Sequence, residues 1–120
     1  TAAKAIVFQF PFYFRSAPHL LKQWTDEVHF VLNMEGIPAG KDFMVATTTG
    51  SEEEAYRHEG RHMYTMDEYL RPYEGMARHA GMIWHKPLVA YGNPASAELA
   101  EKQLAEAVAE YKSRLAALTE

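Results

Sequence analysis

The chain has 120 residues, of which 48% are apolar and 23% are charged, and its formal net charge is −4. This length suits one domain over residues 1–120. The sequence has no basic stripe, so nucleic acid is not expected as a partner. The absence of cysteine excludes disulfides, thiolate catalysis and cysteine-bound zinc, and it suits a cytoplasmic protein. The longest apolar run, Ala5 to Phe8, is too short to span a membrane.

The first half of the chain predicts two buried strands with a helix between them. Residues 5–10 form an aromatic and β-branched run typical of a strand buried on both faces, and Pro11 ends it. Pro18 suits the first position of a helix that continues to about residue 30. Residues 33–41 are predicted to be a loop, and residues 42–48 a second buried strand.

The second half predicts two more helices around a third strand. Residues 50–64 are polar and are expected to form a long loop, after which Thr65 and Glu68 form a capping box. The helix that follows is expected to bend at Pro72 and to end at Gly81. A strand at 88–91 precedes a helix, residues 95–118, that Asn93 and Pro94 open and whose apolar stripe must be buried.

Strands and helices thus alternate along the chain. This order predicts an α/β fold with a parallel sheet covered by helices on both faces. Ligands of such sheets bind beyond the carboxyl ends of the strands, which here are residues 11–17, 48–65 and 92–93. An aromatic loop and the stretch RHEGRH, residues 57–62, are therefore predicted to share one rim.

The stretch from His58 to His62 fits H-E-x-x-H, the signature of zinc peptidases. That chemistry needs both histidines on one helical face, whereas a helix here would carry Gly60 at its centre at a cost of about 1 kcal/mol. No apolar stripe supports such a helix, and Glu74 could be a third ligand only by coincidence. Zinc is not expected, and exposed loop histidines without a role are the simplest alternative.

One family resemblance covers most of residues 5–92. Residues 8–14, FQFPFYF, run into residues 18–28, PHLLKQWTDEV, as in the flavin-dependent NAD(P)H:quinone oxidoreductases, a flavodoxin-like family that includes DT-diaphorase and ancillary reductases of bacterial potassium-efflux systems. Further segments match in order: GK at 40–41, TTTG at 47–50, EAY at 54–56, LRPY at 70–73, HAGM at 79–82 and PL at 87–88.

The resemblance implies a flavin site on the rim. Tyr56 and His62 have the spacing of a tyrosine and a histidine that lie by the flavin and support hydride transfer in part of the family, so they are the candidate catalytic residues. The residues that match the family's flavin-binding segments are Pro11, Phe12, Tyr13, Phe14, Arg15, Thr48, Thr49, Gly50 and Ser51. Ser51 stands where the family's T-T-G-G has its second glycine. A phenol or imidazole donor can stabilise the negative charge of a reduced flavin.

Two departures from the family pattern bear on the fold. Residues 29–37 replace a longer family loop that helps to wall the partner subunit's site. A flavodoxin-like domain also has five strands, and the sequence is expected to start at the third, without the first two strands and the flavin's phosphate loop. These 120 residues alone are therefore expected to bind flavin weakly or not at all, and to self-associate through a hydrophobic sheet edge at residues 5–10.

The expected function is that of a flavin-dependent NAD(P)H:quinone oxidoreductase. The cofactor would be FMN or FAD, NAD(P)H would reduce it, and a quinone would then enter the same slot in a ping-pong reaction without a metal. The complete protein is expected to be a homodimer. The alternative is a flavodoxin-like protein that regulates a partner without catalysis, since both functions retain the fold.

Overall fold

The sheet is parallel throughout the part of the chain that the computed structural model describes, residues 3–118. Strand β1 (Ala5–Pro11) pairs with β2 (Asp42–Thr48) along its whole length. Strands β3 (Ile83–Trp84) and β4 (Leu88–Ala90) pair with successive parts of the other edge of β2. β3 and β4 act as one strand that is interrupted before Pro87. The sequence indicated only β4.

The first helix is longer than the sequence indicated. It runs as α1 (His19–Trp24), a π-helical segment (Thr25–His29) and α2 (Phe30–Met34). The prediction of a loop from residue 33 was wrong at its start, because the helix continues to Met34. No helix-breaking residue precedes Gly36, which has φ 73°. The Ile37 N–H there donates to the Leu32 carbonyl, as in a Schellman motif. Residues 29–37, compared above with a family loop, are thus mostly helix.

The second helical region is split in two. The capping box between Thr65 and Glu68 is confirmed and begins α3 (Met66–Tyr69), but the chain leaves helical geometry at Leu70 before α4 (Arg71–His79). Pro72 explains the break, because it has no N–H to continue the hydrogen-bond ladder. Gly81, with φ 75°, ends α4 as predicted.

The last helix, α5 (Ala97–Leu118), begins later than predicted. Asn93 has φ 52° and so lies outside helical geometry. The helix is capped instead by Ser96, whose Oγ accepts a hydrogen bond of 3.1 Å from the Leu99 N–H.

The helices cover both faces of the sheet, so the predicted three-layer arrangement is confirmed. Phe43 and Val45 of β2 join one core cluster with side chains of α1, α3 and α4. Met44 and Ala46 face α5 on the other side. None of the helices within residues 3–118 is long and apolar enough to cross a membrane.

The apolar stripe of α5 is only partly buried, which contradicts the expectation that it is covered. Leu104 and Val108 are 64% and 44% exposed. They border an open cleft of about 290 Å³ between α5 and the sheet. Beside it, β1 pairs only with β2 among the described strands and forms an edge of the sheet.

Candidate functional site

Three loops meet at one rim of the sheet, where β1, β2 and β4 end. Phe12 and Thr49 extend the strand pairing into this rim, because the Phe12 N–H donates to the Thr48 carbonyl and the Thr49 N–H to the Ala90 carbonyl, at 2.8 and 3.1 Å. The aromatic loop and the loop at residues 50–64 therefore lie side by side, as the strand order predicted.

The aromatic loop is a tight two-residue turn. Tyr13 and Ser16 exchange two backbone hydrogen bonds, and between them Phe14 and Arg15 have φ angles of 39° and 74°. Two positive φ values identify a type I′ turn, which normally carries Gly or Asn and costs roughly 1–2 kcal/mol for each other residue. Phe14 is 95% exposed, so packing does not offset this strain. Such strain is typical of functional sites.

Phe12 lies lower in the rim than the other residues of the aromatic loop. Its side chain is half-buried, and its ring lies 6.2 Å from that of Tyr56 and 5.6 Å from that of Tyr69, between centroids. Phe12 therefore supports the rim from below, while Pro11, Tyr13 and Phe14 are exposed on it. Alternation along the extended chain explains the difference, since Phe12 continues the inward positions of β1.

The turn after β2 offers backbone donors to a ligand. Thr48 and Gly50 are exposed, and the N–H groups of Gly50 and Ser51 have no hydrogen-bond acceptor within residues 3–118. Thr49 makes internal hydrogen bonds: its N–H is paired as above, and its hydroxyl donates to the Ser51 carbonyl at 2.8 Å. The turn can therefore bind acceptor atoms through main-chain N–H groups.

His62 joins the two loops. Its Nε2 lies 2.9 Å from Ser51 Oγ, and its Nδ1 lies 2.9 Å from a guanidinium nitrogen of Arg15. Its ring packs against that of Tyr56, with centroids 4.8 Å apart. The structure thus brings together four residues that the sequence singled out, although they come from positions 15 to 62.

Tyr56 is buried, at 7% exposed, and belongs to the main core cluster. This corrects the premise that it lies in a polar loop outside the core. A short 3₁₀ turn (Glu53–Ala55) directs its side chain inward. The loop returns so closely over this turn that a Cβ on Gly60 would lie 2.5 Å from the Ala55 carbonyl oxygen. Close packing therefore explains why a glycine occupies this position in the H-E-x-x-H stretch.

The surroundings of His62 favour the neutral form of its imidazole. Burial lowers its pKa, and the nearby positive charges of Arg15 and Arg61 lower it further, against a smaller opposing effect of Glu52. Tyr91, which the sequence did not suggest, has its pKa raised to about 12 mainly by burial, and its ring lies 5.9 Å from that of Tyr56. Its place at the carboxyl end of the predicted strand at residues 88–91 was the available signal.

The two histidines of the H-E-x-x-H stretch point to different partners, and the segment is not helical. His58 Nε2 lies 2.8 Å from Glu68 Oε1, whereas His62 contacts Ser51 and Arg15. Within residues 3–118 no cluster of three or more His, Cys, Asp or Glu side chains could hold a metal ion. This geometry does not fit a zinc peptidase.

The rim fits one edge of a flavin ring system. An isoalloxazine has a flat apolar face and acceptor atoms along its pyrimidine edge. The rim offers Phe14 as an exposed aromatic surface, two unpaired N–H groups at Gly50 and Ser51, and the hydroxyl of Ser51, which lies against the imidazole of His62. These residues could hold the ring through donors that favour negative charge on it.

Comparison with known proteins agrees with this geometry. The family model described as "Flavodoxin-like fold" matches residues 1–115. The glutathione-regulated potassium-efflux system ancillary protein KefG of Pectobacterium atrosepticum is 43% identical over 90 residues, which cover 72% of this chain and 49% of that protein. The chain thus spans about half the length of the curated relatives it matches.

Two solved structures resemble the chain in fold. General stress protein 14 from Treponema denticola, solved in complex with FMN, has a TM-score of 0.82 at 28% identity and aligns over 96% of this chain and 67% of that one. A structure titled NADPH-quinone reductase from P. pentosaceus has a TM-score of 0.74 at 27% identity, over 87% of this chain and 64% of that one.

Proposed function

Because this chain belongs to the family with the flavodoxin-like fold, we propose that it is part of a flavin-dependent NAD(P)H:quinone oxidoreductase. The observation that carries the proposal is the cluster of His62, Ser51 and Arg15 beside the unpaired N–H groups of the turn at Gly50. The FMN in one structural neighbour and the quinone reductase title of another support the same cofactor and reaction class.

The bound flavin would supply the hydride chemistry, taking a hydride from NAD(P)H and passing it to a quinone in a ping-pong reaction. The chain's own residues would position the ring and stabilise charge. Gly50 and Ser51 would donate backbone hydrogen bonds to its edge, and Tyr56 would support His62 from the core. FMN is favoured over FAD by the neighbour's ligand. NAD(P)H as a reductant suits the predicted cytoplasmic location.

We also propose that the complete protein is a homodimer, with an interface on the helix at residues 19–34. Leu20, Trp24 and Val28 recur at a spacing of four residues on this helix and are 65%, 37% and 39% exposed. Three further exposed side chains follow, Phe30, Val31 and Met34. An apolar surface of this kind on a domain this small is typical of an interface.

Steady-state kinetics of the protein carrying the whole family domain test the proposed reaction. A ping-pong enzyme gives parallel double-reciprocal lines when quinone is varied at several NAD(P)H concentrations, and activity should require FMN. Val31→Glu should lower the mass measured by sedimentation, whereas Gln23→Glu, an exposed position on the same helix, should not. A monomeric native protein with full activity would contradict the shared interface.

The alternative function is a regulatory partner that binds flavin without reducing quinones. The name of the KefG relative, an ancillary protein of a potassium-efflux system, favours this candidate. The same kinetic measurement separates the two, because a regulatory protein would bind FMN but show no quinone-dependent oxidation of NADH or NADPH.

A further inference from the structure

Both ring nitrogens of His62 have hydrogen-bond partners, and one partner fixes the tautomer. A guanidinium group has five N–H donors and no acceptor. The contact of 2.9 Å between Arg15 and Nδ1 therefore requires a lone pair on Nδ1. A neutral imidazole then carries its proton on Nε2, which donates it to Ser51 Oγ at 2.9 Å.

We propose that Arg15 and Ser51 hold His62 as the neutral Nε2–H tautomer, and that the Ser51 hydroxyl, rather than the imidazole, is the side-chain donor that this rim presents to its ligand. Ser51 Oγ accepts a hydrogen bond from the Nε2–H group, so its own O–H remains available to another acceptor. The direction of hydrogen bonding runs from Arg15 through His62 to Ser51. Only the identity of the ligand, a flavin, rests on the proposed function.

Arg15 is held in place by more than its contact with His62. The type I′ turn fixes its backbone at φ 74°, and its guanidinium carbon lies 5.6 Å from the ring centroid of Tyr69, within cation–π distance. The hydroxyl of Tyr69 donates to the His62 carbonyl at 2.7 Å. Tyr69 thus positions both Arg15 and His62. The role of the strained turn is to hold Arg15 in reach of Tyr69 and His62.

Ser51 is equally fixed at its backbone. Its carbonyl accepts hydrogen bonds from the Thr49 hydroxyl, at 2.8 Å, and from the Gly92 N–H, at 3.1 Å. Gly92 permits this approach because a Cβ there would lie 2.4 Å from the Thr49 carbonyl oxygen. The turn that resembles T-T-G-G therefore carries, at its second glycine position, a hydroxyl that a glycine could not provide.

The charges around His62 support the neutral ring that this arrangement needs. Burial and the two arginines lower its pKa, Glu52 opposes them, and Glu52 is itself engaged by Arg61 and Asn93. A protonated ring would place a positive Nδ1–H against the Arg15 guanidinium. The contact with Arg15 thus fixes the tautomer and adds to the lowering of the pKa that burial causes.

Nitrogen-15 NMR of the histidine ring, recorded at neutral pH on the flavin-free protein carrying the whole family domain, tests the tautomer directly. We expect Nε2 of His62 to show the shift of a protonated, pyrrole-type nitrogen and Nδ1 that of an unprotonated one. In Arg15→Leu the ratio of the Nδ1–H to the Nε2–H tautomer should rise by about tenfold or more, the effect of losing one charge-assisted hydrogen bond. The pKa of His62 should also rise.

Arg61→Gln is the matched control. Arg61 acts on His62 through its charge but pairs with Glu52, so this variant should raise the pKa of His62 and leave the tautomer unchanged. A His62 ring protonated on Nδ1 in the native protein would overturn the proposed hydrogen-bond relay from Arg15 through His62 to Ser51. Equal changes of the tautomer ratio in Arg15→Leu and Arg61→Gln would overturn it as well.

The flavin-loaded protein tests the role of the hydroxyl. Ser51→Gly, the family residue, should bind reduced flavin about fivefold less tightly relative to oxidised flavin, which lowers a two-electron potential by roughly 20 mV. Ser51→Thr should restore it. An unchanged potential in Ser51→Gly would remove the hydroxyl from the site. Failure to bind FMN would refute the proposed function but leave the tautomer result decisive for the relay.

Discussion

The rings of Tyr56 and His62 pack against each other at the rim in a tilted arrangement, with centroids 4.8 Å apart and an angle of 35° between their planes. Tyr56 is buried and His62 is half-buried, so the tyrosine supports the imidazole from the core. The two nitrogens at the edge of the imidazole remain directed at Arg15 and Ser51.

His62→Gln should slow flavin reduction by about tenfold or more, because it removes the imidazole that orients the Ser51 hydroxyl. Tyr56→Phe should slow it as well, because it removes the phenol hydroxyl that the family resemblance places by the flavin. Both should leave the melting temperature nearly unchanged, since Tyr56→Phe retains the ring in the core. Tyr56→Ala should instead cost about 3 kcal/mol of the free energy of unfolding. Stopped-flow absorbance and thermal unfolding measure the two effects. Tyr64→Phe, at an exposed ring, is the control, and unaltered rates in both first variants would exclude these residues from the mechanism.

Phe14→Gly should stabilise the fold by roughly 1 kcal/mol. Its φ of 39° is unfavourable for a residue with a side chain, and at 95% exposure the ring contributes little packing. The same variant should weaken flavin binding if Phe14 forms the aromatic surface. Denaturant unfolding measures the first effect. Tyr13→Gly, at the neighbouring position without a positive φ, should destabilise the fold, and a loss of stability in both variants would argue against stored strain.

His29 should make the folded state less stable in mild acid. It is 3% exposed, both its ring nitrogens lack a partner within the described residues, and burial lowers its pKa below 6.5. As the pH falls below 6.5 the unfolded chain therefore binds a proton first, and the free energy of unfolding decreases. His62 contributes in the same direction.

His29→Leu should therefore raise the free energy of unfolding by about 1–2 kcal/mol and reduce its decrease between pH 6.5 and pH 5. His79→Leu, at an exposed histidine on α4, is the control and should change neither. Urea unfolding at a series of pH values measures both quantities. A pH dependence that is the same in His29→Leu as in the native chain would show that this histidine is solvated.

These 120 residues as an isolated polypeptide should self-associate, because the edge of β1 and the exposed stripe of α5 adjoin one another. Leu104 and Val108 line the cleft beside this edge. Replacing both with Glu should shift the sedimentation profile toward a mass near 13.6 kDa. Ala109→Glu, on the opposite side of α5, should not. A native polypeptide that is monomeric at micromolar concentration would contradict the prediction.

The sequence was sufficient for the architecture because periodicity and capping residues are local signals. The capping box at Thr65, the helix end at Gly81 and the strand at residues 42–48 are all present in the structure. The sequence was insufficient for those side-chain positions that depend on contacts between distant parts of the chain. The inward position of Tyr56 depends on the return of Gly60 over a 3₁₀ turn, and the pairing of Arg15 with His62 spans 47 residues.

Double-mixing stopped-flow of the FMN-loaded protein carrying the whole family domain tests the proposed function most directly. Anaerobic mixing with NADH or NADPH should bleach the visible absorbance of the bound flavin, and a second mixing with a quinone should restore it fully. His62→Gln should slow the first phase and retain the end point. Bound FMN that neither nicotinamide reduces, or reduced flavin that a quinone does not reoxidise, would contradict the assignment as a quinone oxidoreductase.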